Sequence, residues 1–450
     1  STTDVNIPAD APNQPVIGLQ NATCRDVTFA GGASVTVAST ATFWIYGNAG
    51  GAGTFYANSS TVSYSGSGTQ QMGAGTYYNL NLRNAGTKIF PAGTTYIGKN
   101  FTVSENAVAD ATTNSTTIEY DGNSAQNVAA INYYNLTFSS TGSKTFSTGT
   151  TGINGVFSIS GSPAVNTSAA NCTVEYKGSS AQTVQNITYN NITFSNTGVK
   201  TLPASLYVTG TWTNNGTVTT GTGTVHLTGT ATQPVGGTTP TTFYNLSVEN
   251  VNGISLSAGQ TLNGTLTFSS GKIFLDAYDL LMGTSATISG SGSTKYVVAD
   301  GAGALRQRVS NNATDVTFPV GTVSEYLPLK IKLTAGSTAD DFKVRVGNGL
   351  NTAYDASDNP TGTAITNSAV LKTWFVKEGT SGGSNATLTA QWNAADEGLN
   401  FTRSLCDVAH YTGGLWVYSA FSAASGSDPY TQVISGITSF SPFGVFGGQS

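Results

Sequence analysis

The sequence predicts an all-β protein: a parallel β-helix, or solenoid, of about 56-residue repeats, followed by a C-terminal antiparallel β-sandwich. Three observations carry this expectation. First, a Tyr-Asn-Leu/Ile phrase recurs at a fixed distance, anchored by Asn79, Asn135, Asn191 and Asn245, which are 56, 56 and 54 residues apart. Repeats of this period are stacked supersecondary units that bury their apolar faces only against their neighbours. Second, no window shows apolar residues at i, i+3, i+4 and i+7 over three turns, so helices are nearly absent. Third, only 9% of the 450 residues are charged and 54 are glycine, so the polar surface consists of Ser, Thr, Asn and Gln. Disorder is excluded, because 38% hydrophobic and 10% aromatic residues suffice for a large core.

The chain divides into three regions. Residues 1–20 carry Pro8, Pro12 and Pro15, which exclude a helix and a central strand and leave an extended N-terminal arm with short pairing segments. Val5, Ile7, Val16 and Ile17 would be costly to leave in water, which nominates the arm for assembly, the alternative being that it folds back to cap its own solenoid.

Residues 21–292 form the predicted solenoid. Upstream of each Asn lies a second phrase: Thr61 to Gln70, Thr117 to Gln126, Thr173 to Gln182, and a degenerate Thr224 to Gln233. Strand-like runs such as Ser34–Ala38, Val156–Ile159, Cys172–Tyr176 and Gly264–Phe268 are bounded by Gly, Asn or Ser. A β-helix uses about 20 residues per turn, so one repeat supplies roughly three turns. Stacked turns bring equivalent side chains to about 4.8 Å, where like charges repel but Asn, Thr and aromatic residues form ladders. The expected ladder residues are Tyr78, Asn79, Tyr134, Asn135, Asn190, Asn191, Tyr244 and Asn245. Tandem sandwiches are the alternative, but about 56 residues is small for one without staples.

Residues 293–450, beyond the seam at Gly290-Ser291-Gly292-Ser293, hold Trp374, Trp392 and Trp416 and longer alternating strands such as Asp341–Val346. They read as the sandwich.

The chemistry is sparse. Cys24, Cys172 and Cys406 are too far apart for a zinc knuckle or a redox pair, and read as buried thiols. His226 and His410 lie one in each region, which speaks against a two-histidine metal site or a Ser-His-Asp relay. Glu119 and Asp121, Glu175 and Lys177, and Ser63 and Ser65 occupy equivalent repeat positions, a scatter expected of exposed sites. Asp340-Asp341 and Asp396-Glu397 are candidate carboxylate pairs by residue type alone. Asp355 and Asp358 could wrap calcium, and a loop before Pro360 explains them as well. No catalytic, cofactor-binding or metal residue is expected. A net charge of −5 without a basic cluster disfavours nucleic acid, and no apolar run of about 18 residues spans a membrane.

Tyr296-Val297-Val298, Gly303-Ala304-Leu305, Phe318-Pro319-Val320-Gly321-Thr322, Tyr326-Leu327-Pro328-Leu329 and the tail Gly436–Val445 resemble a module of large secreted surface proteins of the Bacteroidota. The repeats resemble the arrays that precede it there. The resemblance implies export, typically by the type IX system, and an extracellular or cell-surface place, but not an activity. The expectation is therefore a non-catalytic filament or surface-fibre subunit that assembles head to tail with copies of itself. A carbohydrate- or surface-binding adhesin module and, third, a polysaccharide-cleaving β-helix enzyme are the alternatives.

Overall fold

A short run that alternates Val or Ile with Thr buries one face only when strands stack above and below it and turn residues bring the chain round again. The computed structural model, which describes residues 3–18 and 20–448, shows this solution. The chain is 52% strand and 1% helix, with a parallel solenoid of about 16 turns and a C-terminal antiparallel sheet region. By internal contacts it forms two compact units, residues 1–219 and 220–450.

In the first unit successive turns pair in parallel, as in Thr61↔Asn79, Leu136↔Phe157 and Thr150↔Thr173. Each step is close to the expected 20 residues, so the repeat does hold three turns. Inward positions stack in columns: Val62, Leu80, Ile118, Leu136, Val174 and Ile192 are all buried. Aromatic residues fill the wider parts, with Phe138 over Phe157 at 5.1 Å and Phe194 over Trp212 at 5.0 Å between ring centroids.

The expected arm is not detached. Val5–Ile7 pairs in parallel with Val27–Phe29, and Val16–Ile17 with Ser34–Val37. The three prolines fall between these strands, at corners that need no ladder donor. The segment is thus the opening turn of its own solenoid. Ile7 is buried (3% exposed), Ile17 is half-buried, Val5 is 36% exposed and Val16 is 66% exposed.

In the second unit, parallel rungs run from Thr224–Leu227 through Asn245–Val248 and Thr265–Phe268 to Thr287–Ser289. Parallel pairing continues past the Gly290 seam, through Ile273↔Val297 and Val297↔Val320. The change of architecture occurs on one strand. Leu305–Val309 pairs in parallel with Leu280–Met282 on one edge and antiparallel with Asp340–Asn348 on the other. Beyond it, Lys372–Glu378, Pro442–Gly447, Cys406–Thr412 and Leu415–Val417 extend this sheet. A second antiparallel sheet is built from Val316–Phe318, Leu329–Leu333, Ala386–Trp392, Tyr430–Ile437 and Ser425–Gly426. Trp374 and Trp392, one from each sheet, are fully buried.

Candidate functional site

The repeat phrases prove to be internal fasteners. The tyrosines that matter are those one place before the expected ladder residues. Tyr64 and Tyr77 meet hydroxyl to hydroxyl at 3.0 Å, and Tyr120–Tyr133 and Tyr176–Tyr189 do so at 2.8 Å. In each pair the first hydroxyl accepts the backbone N–H of Gly73, Ala129 or Gln185, and the second donates to the carbonyl of that same residue. Proton accounting then leaves one arrangement, in which the first tyrosine donates to the second and the circuit closes with every group satisfied. Burial raises all six phenol pKa values, Tyr120 to about 12, so both hydroxyls keep their protons.

The glutamines act across turns. Oε1 of Gln70, Gln126 and Gln182 accepts the N–H of Gly66, Gly122 and Gly178, while Nε2 donates to carbonyls of Ile45, Ile97 and Ile153 one turn below. Register places a buried lysine on the next turn in each case: Lys88, Lys144 and Lys200. Among the described residues none has a carboxylate within ion-pair distance of its ammonium, although the Asp121 charge acts on Lys144 from farther off. Lys144 Nζ donates to the carbonyls of Gly122 and Gly142, both at 2.9 Å, and to Ser140 Oγ at 3.1 Å. Lys200 Nζ reaches the carbonyls of Gly178, Ser195 and Gly198 at 2.6 to 2.8 Å. Burial lowers the pKa of all three.

Sequence reasoning missed these lysines, although Lys88, Lys144 and Lys200 share the 56-residue period. The fourth repeat shows how the set is dismantled. Leu227 and Phe243 stand where the tyrosine pair would be, and Gln233 faces Ile254 in place of lysine. There Asn250 Nδ2 donates to Ala231 O at 2.6 Å and Gln233 Oε1 at 3.1 Å.

The expected ladder residues line the outside of the turns. Tyr78, Tyr134 and Asn190 are half-buried and Tyr244 is exposed. Oδ1 of Asn135, Asn191 and Asn245 accepts the backbone N–H of Val156, Thr211 and Thr265 on the next turn, whereas Asn79 Oδ1 accepts from Asn100. Gly155, Gly210 and Gly264 lie where a Cβ would collide with those Asn side chains, which explains a glycine one turn later. Each Asn ties its own turn to the next; recurring only once in three turns, the expected residues do not stack on one another as a ladder.

The remaining candidates are not brought together. Glu119 and Glu175 accept from Ser139 and Ser195, and His226 pairs with Glu249 at 2.6 Å. His410 stacks on Phe443 at 4.6 Å and bonds Ser441 Oγ at 2.7 Å, but that hydroxyl donates to Tyr411 O, so its proton is already engaged. Asp341 pairs with Arg306, Glu397 with Arg403, and Asp340 accepts the Thr380 N–H. Asp355 closes a turn by accepting from Ser357 and Asn359, and Asp358 pairs with Lys377 at 2.9 Å. Among the described residues no group of three or more His, Cys, Asp or Glu could hold a metal ion. All three cysteines are free and buried, and burial pushes the Cys24 thiol up to about 12 and Cys172 to about 11. These thiols are poor nucleophiles.

The concave feature with the richest chemistry is a cavity of about 540 Å³ in the second unit. Asp279 and Asp300, Lys343 and Arg345 of one strand, the loop from Asn348 to Pro360, and Phe375 and Lys377 line it. Lys343 pairs with Asp279 at 2.5 Å, and Arg345 lies 3.7 Å over the Phe375 ring and 3.9 Å from Asp358. Three carboxylates face three cations, so the cavity offers no net charge, while amide and hydroxyl groups supply neutral hydrogen bonds. The volume suits a small ligand. Comparison with known proteins finds no matching family model, no matching curated protein and no matching solved structure.

Proposed function

We propose that this chain is a non-catalytic structural protein of an extracellular fibre or cell surface, in which the solenoid is a stiff scaffold. One observation carries the reading: the polar residues that define the repeat are consumed by bonds within and between turns, which is how a scaffold uses them. The weakly charged Ser/Thr/Asn exterior and the resemblance to secreted surface proteins of the Bacteroidota support the place. Assembly is head to tail. Val5–Ile7 and Val16–Ile17 each have one strand neighbour among the described residues, and Val16 is largely exposed, so the opening turn offers strand edges to another copy. Negative-stain microscopy of the intact chain is expected to show fibres, and deletion of residues 1–18 to abolish them. Fibres that persist in the truncated protein remove the opening turn from assembly, and a purely monomeric intact protein overturns the filament reading.

The cavity favours a second reading, a carbohydrate-binding adhesin module. Balanced charge and neutral donors suit a hydroxyl-rich, uncharged sugar better than an anion. Calorimetry against neutral oligosaccharides tests it: saturable binding, weakened at least tenfold by Asn351→Ala, is the expected result. No heat with any of them refutes it.

A further inference from the structure

In the antiparallel region Lys372, Asp396 and Glu325 come together from three separate segments. Lys372 opens the strand Lys372–Glu378 and is 7% exposed, and Asp396 closes a single 3₁₀ turn after Ala386–Trp392 and is 3% exposed. Lys372 Nζ contacts the Glu325 carboxylate, donates to Asn348 Oδ1 at 2.8 Å and lies 3.3 Å from Asp396 Oδ1. Asp396 Oδ2 is fixed by the N–H of Asn393 at 2.8 Å and its Nδ2 at 3.1 Å. Oδ1, turned toward the lysine, is buried and accepts no well-directed hydrogen bond. Glu325 also borders a cavity of about 590 Å³ with Ser324, Tyr326 and Asn393.

We propose that Lys372 and Asp396 are the partners of an intramolecular amide cross-link, formed in the folded chain with Glu325 as the proton carrier. Glu325 takes a proton from the Lys372 ammonium. The amine lone pair then attacks the carboxyl carbon of protonated Asp396, forming the N–C bond. Glu325 returns its proton to the departing hydroxyl, the C–O bond breaks, one water leaves toward the adjoining cavity, and the second proton on the new amide nitrogen passes by way of Glu325 to solvent. An ammonium and a carboxylic acid become a neutral amide, one water and one released proton, and Glu325 ends as a carboxylate, as it began.

Three physical points support this assignment. A fixed amine whose nitrogen lies 3.3 Å from an oxygen of a fixed carboxyl has a high effective concentration for reaction with it. Burial raises the Asp396 pKa, whereas bonds from Lys372 and Asp396 outweigh burial at Glu325 and hold its carboxyl low, so a proton shared by the two acids is favoured on Asp396 over Glu325. Amide formation removes the buried ammonium charge of Lys372, whose desolvation is costly. The product would tie one antiparallel sheet to the other in a chain whose three cysteines are all free.

Intact-mass spectrometry of the purified chain is the test. The expected mass is lower than the sequence mass by one water. Trypsin should fail to cut after Lys372, leaving residues 346–377 joined to 378–403 in a branched peptide. Lys372→Arg and Glu325→Gln, folded by circular dichroism, should both have full mass. A wild-type protein of full mass that yields linear peptides 346–372 and 373–377 overturns the proposal. A dehydrated Glu325→Gln variant overturns the role given to Glu325.

Discussion

Replacing Lys144 with methionine isolates what the buried lysines contribute. Methionine keeps the length and apolar stem of the side chain and removes three donated bonds, two at 2.9 Å and one at 3.1 Å. The Gly122 carbonyl keeps a donor in Ser140 Oγ, at 2.6 Å, so the carbonyl of Gly142 bears most of the loss. A stranded buried carbonyl costs about 1–3 kcal/mol, and each bond to a charged donor is worth about 1.5–3 kcal/mol net. Against this, the variant no longer desolvates an ammonium, a cost visible in the lowered Lys144 pKa. The balance is a loss of about 2–4 kcal/mol in local stability. In a solenoid the effect should be confined to neighbouring turns, so hydrogen exchange read by mass spectrometry is the assay. Amides of strands Gln126–Val128 and Lys144–Phe146 should exchange roughly 30- to 1,000-fold faster, since about 1.4 kcal/mol is tenfold. Lys99→Met, at a half-buried lysine whose ammonium only grazes the Ala125 carbonyl at 3.5 Å, is the control. A change below about 0.5 kcal/mol at Lys144 would refute the claim that the cage of carbonyls holds the turns together.

Alkali should attack the tyrosine circuits. The folded pKa of Tyr120 is raised to about 12, above its ordinary value of 10.0, so the native state holds its proton longer and stability is lost as pH rises from 10 to 12. Unfolding followed by circular dichroism should therefore begin above pH 10, and a melting temperature unchanged at pH 11 contradicts it. Gly210→Ala places a Cβ against Asn191 Oδ1 and the Asn190 carbonyl, and should lower the melting temperature by several degrees, whereas Gly221→Asn, in open left-handed backbone, should leave it nearly unchanged. Asp355 already accepts three bonds from its own turn, so millimolar calcium should not shift the melting temperature, and a calcium-dependent rise absent in Asp355→Ala would restore a metal role.

The solenoid was legible because its period, its strand alternation and its turn residues all repeat, and each repetition strengthens the others. Outward Asn79 and Asn135 were found for the same reason. The inner set was not. Lys88, Lys144 and Lys200 look like ordinary surface lysines, since nothing local to a lysine announces that carbonyl and hydroxyl oxygens will surround it. The opening turn was hidden by its prolines, which bar a central strand but not the corners between short edge strands. Asp279, Lys343, Asp358 and Phe375 reach one cavity, and Glu325, Lys372 and Asp396 one cluster, only through antiparallel pairing whose register no repeat encodes. Asp396 and Glu397, a carboxylate pair by residue type alone, part for this reason: Glu397 turns to Arg403 and the Trp392 indole, and Asp396 turns inward.

The closed hydroxyl circuit has a consequence for how such a chain can change by single mutations. Losing one tyrosine strands its partner and a backbone group, so the first of two substitutions passes through a less stable protein, while the second restores part of the loss. In the fourth repeat Leu227 and Phe243 stand in place of both members of the pair, and Ile254 in the lysine position is accompanied by Asn250, which bonds Gln233. The interior of a repeat is therefore expected to change as a group, whereas an exterior residue bonded to no other side chain can change by itself.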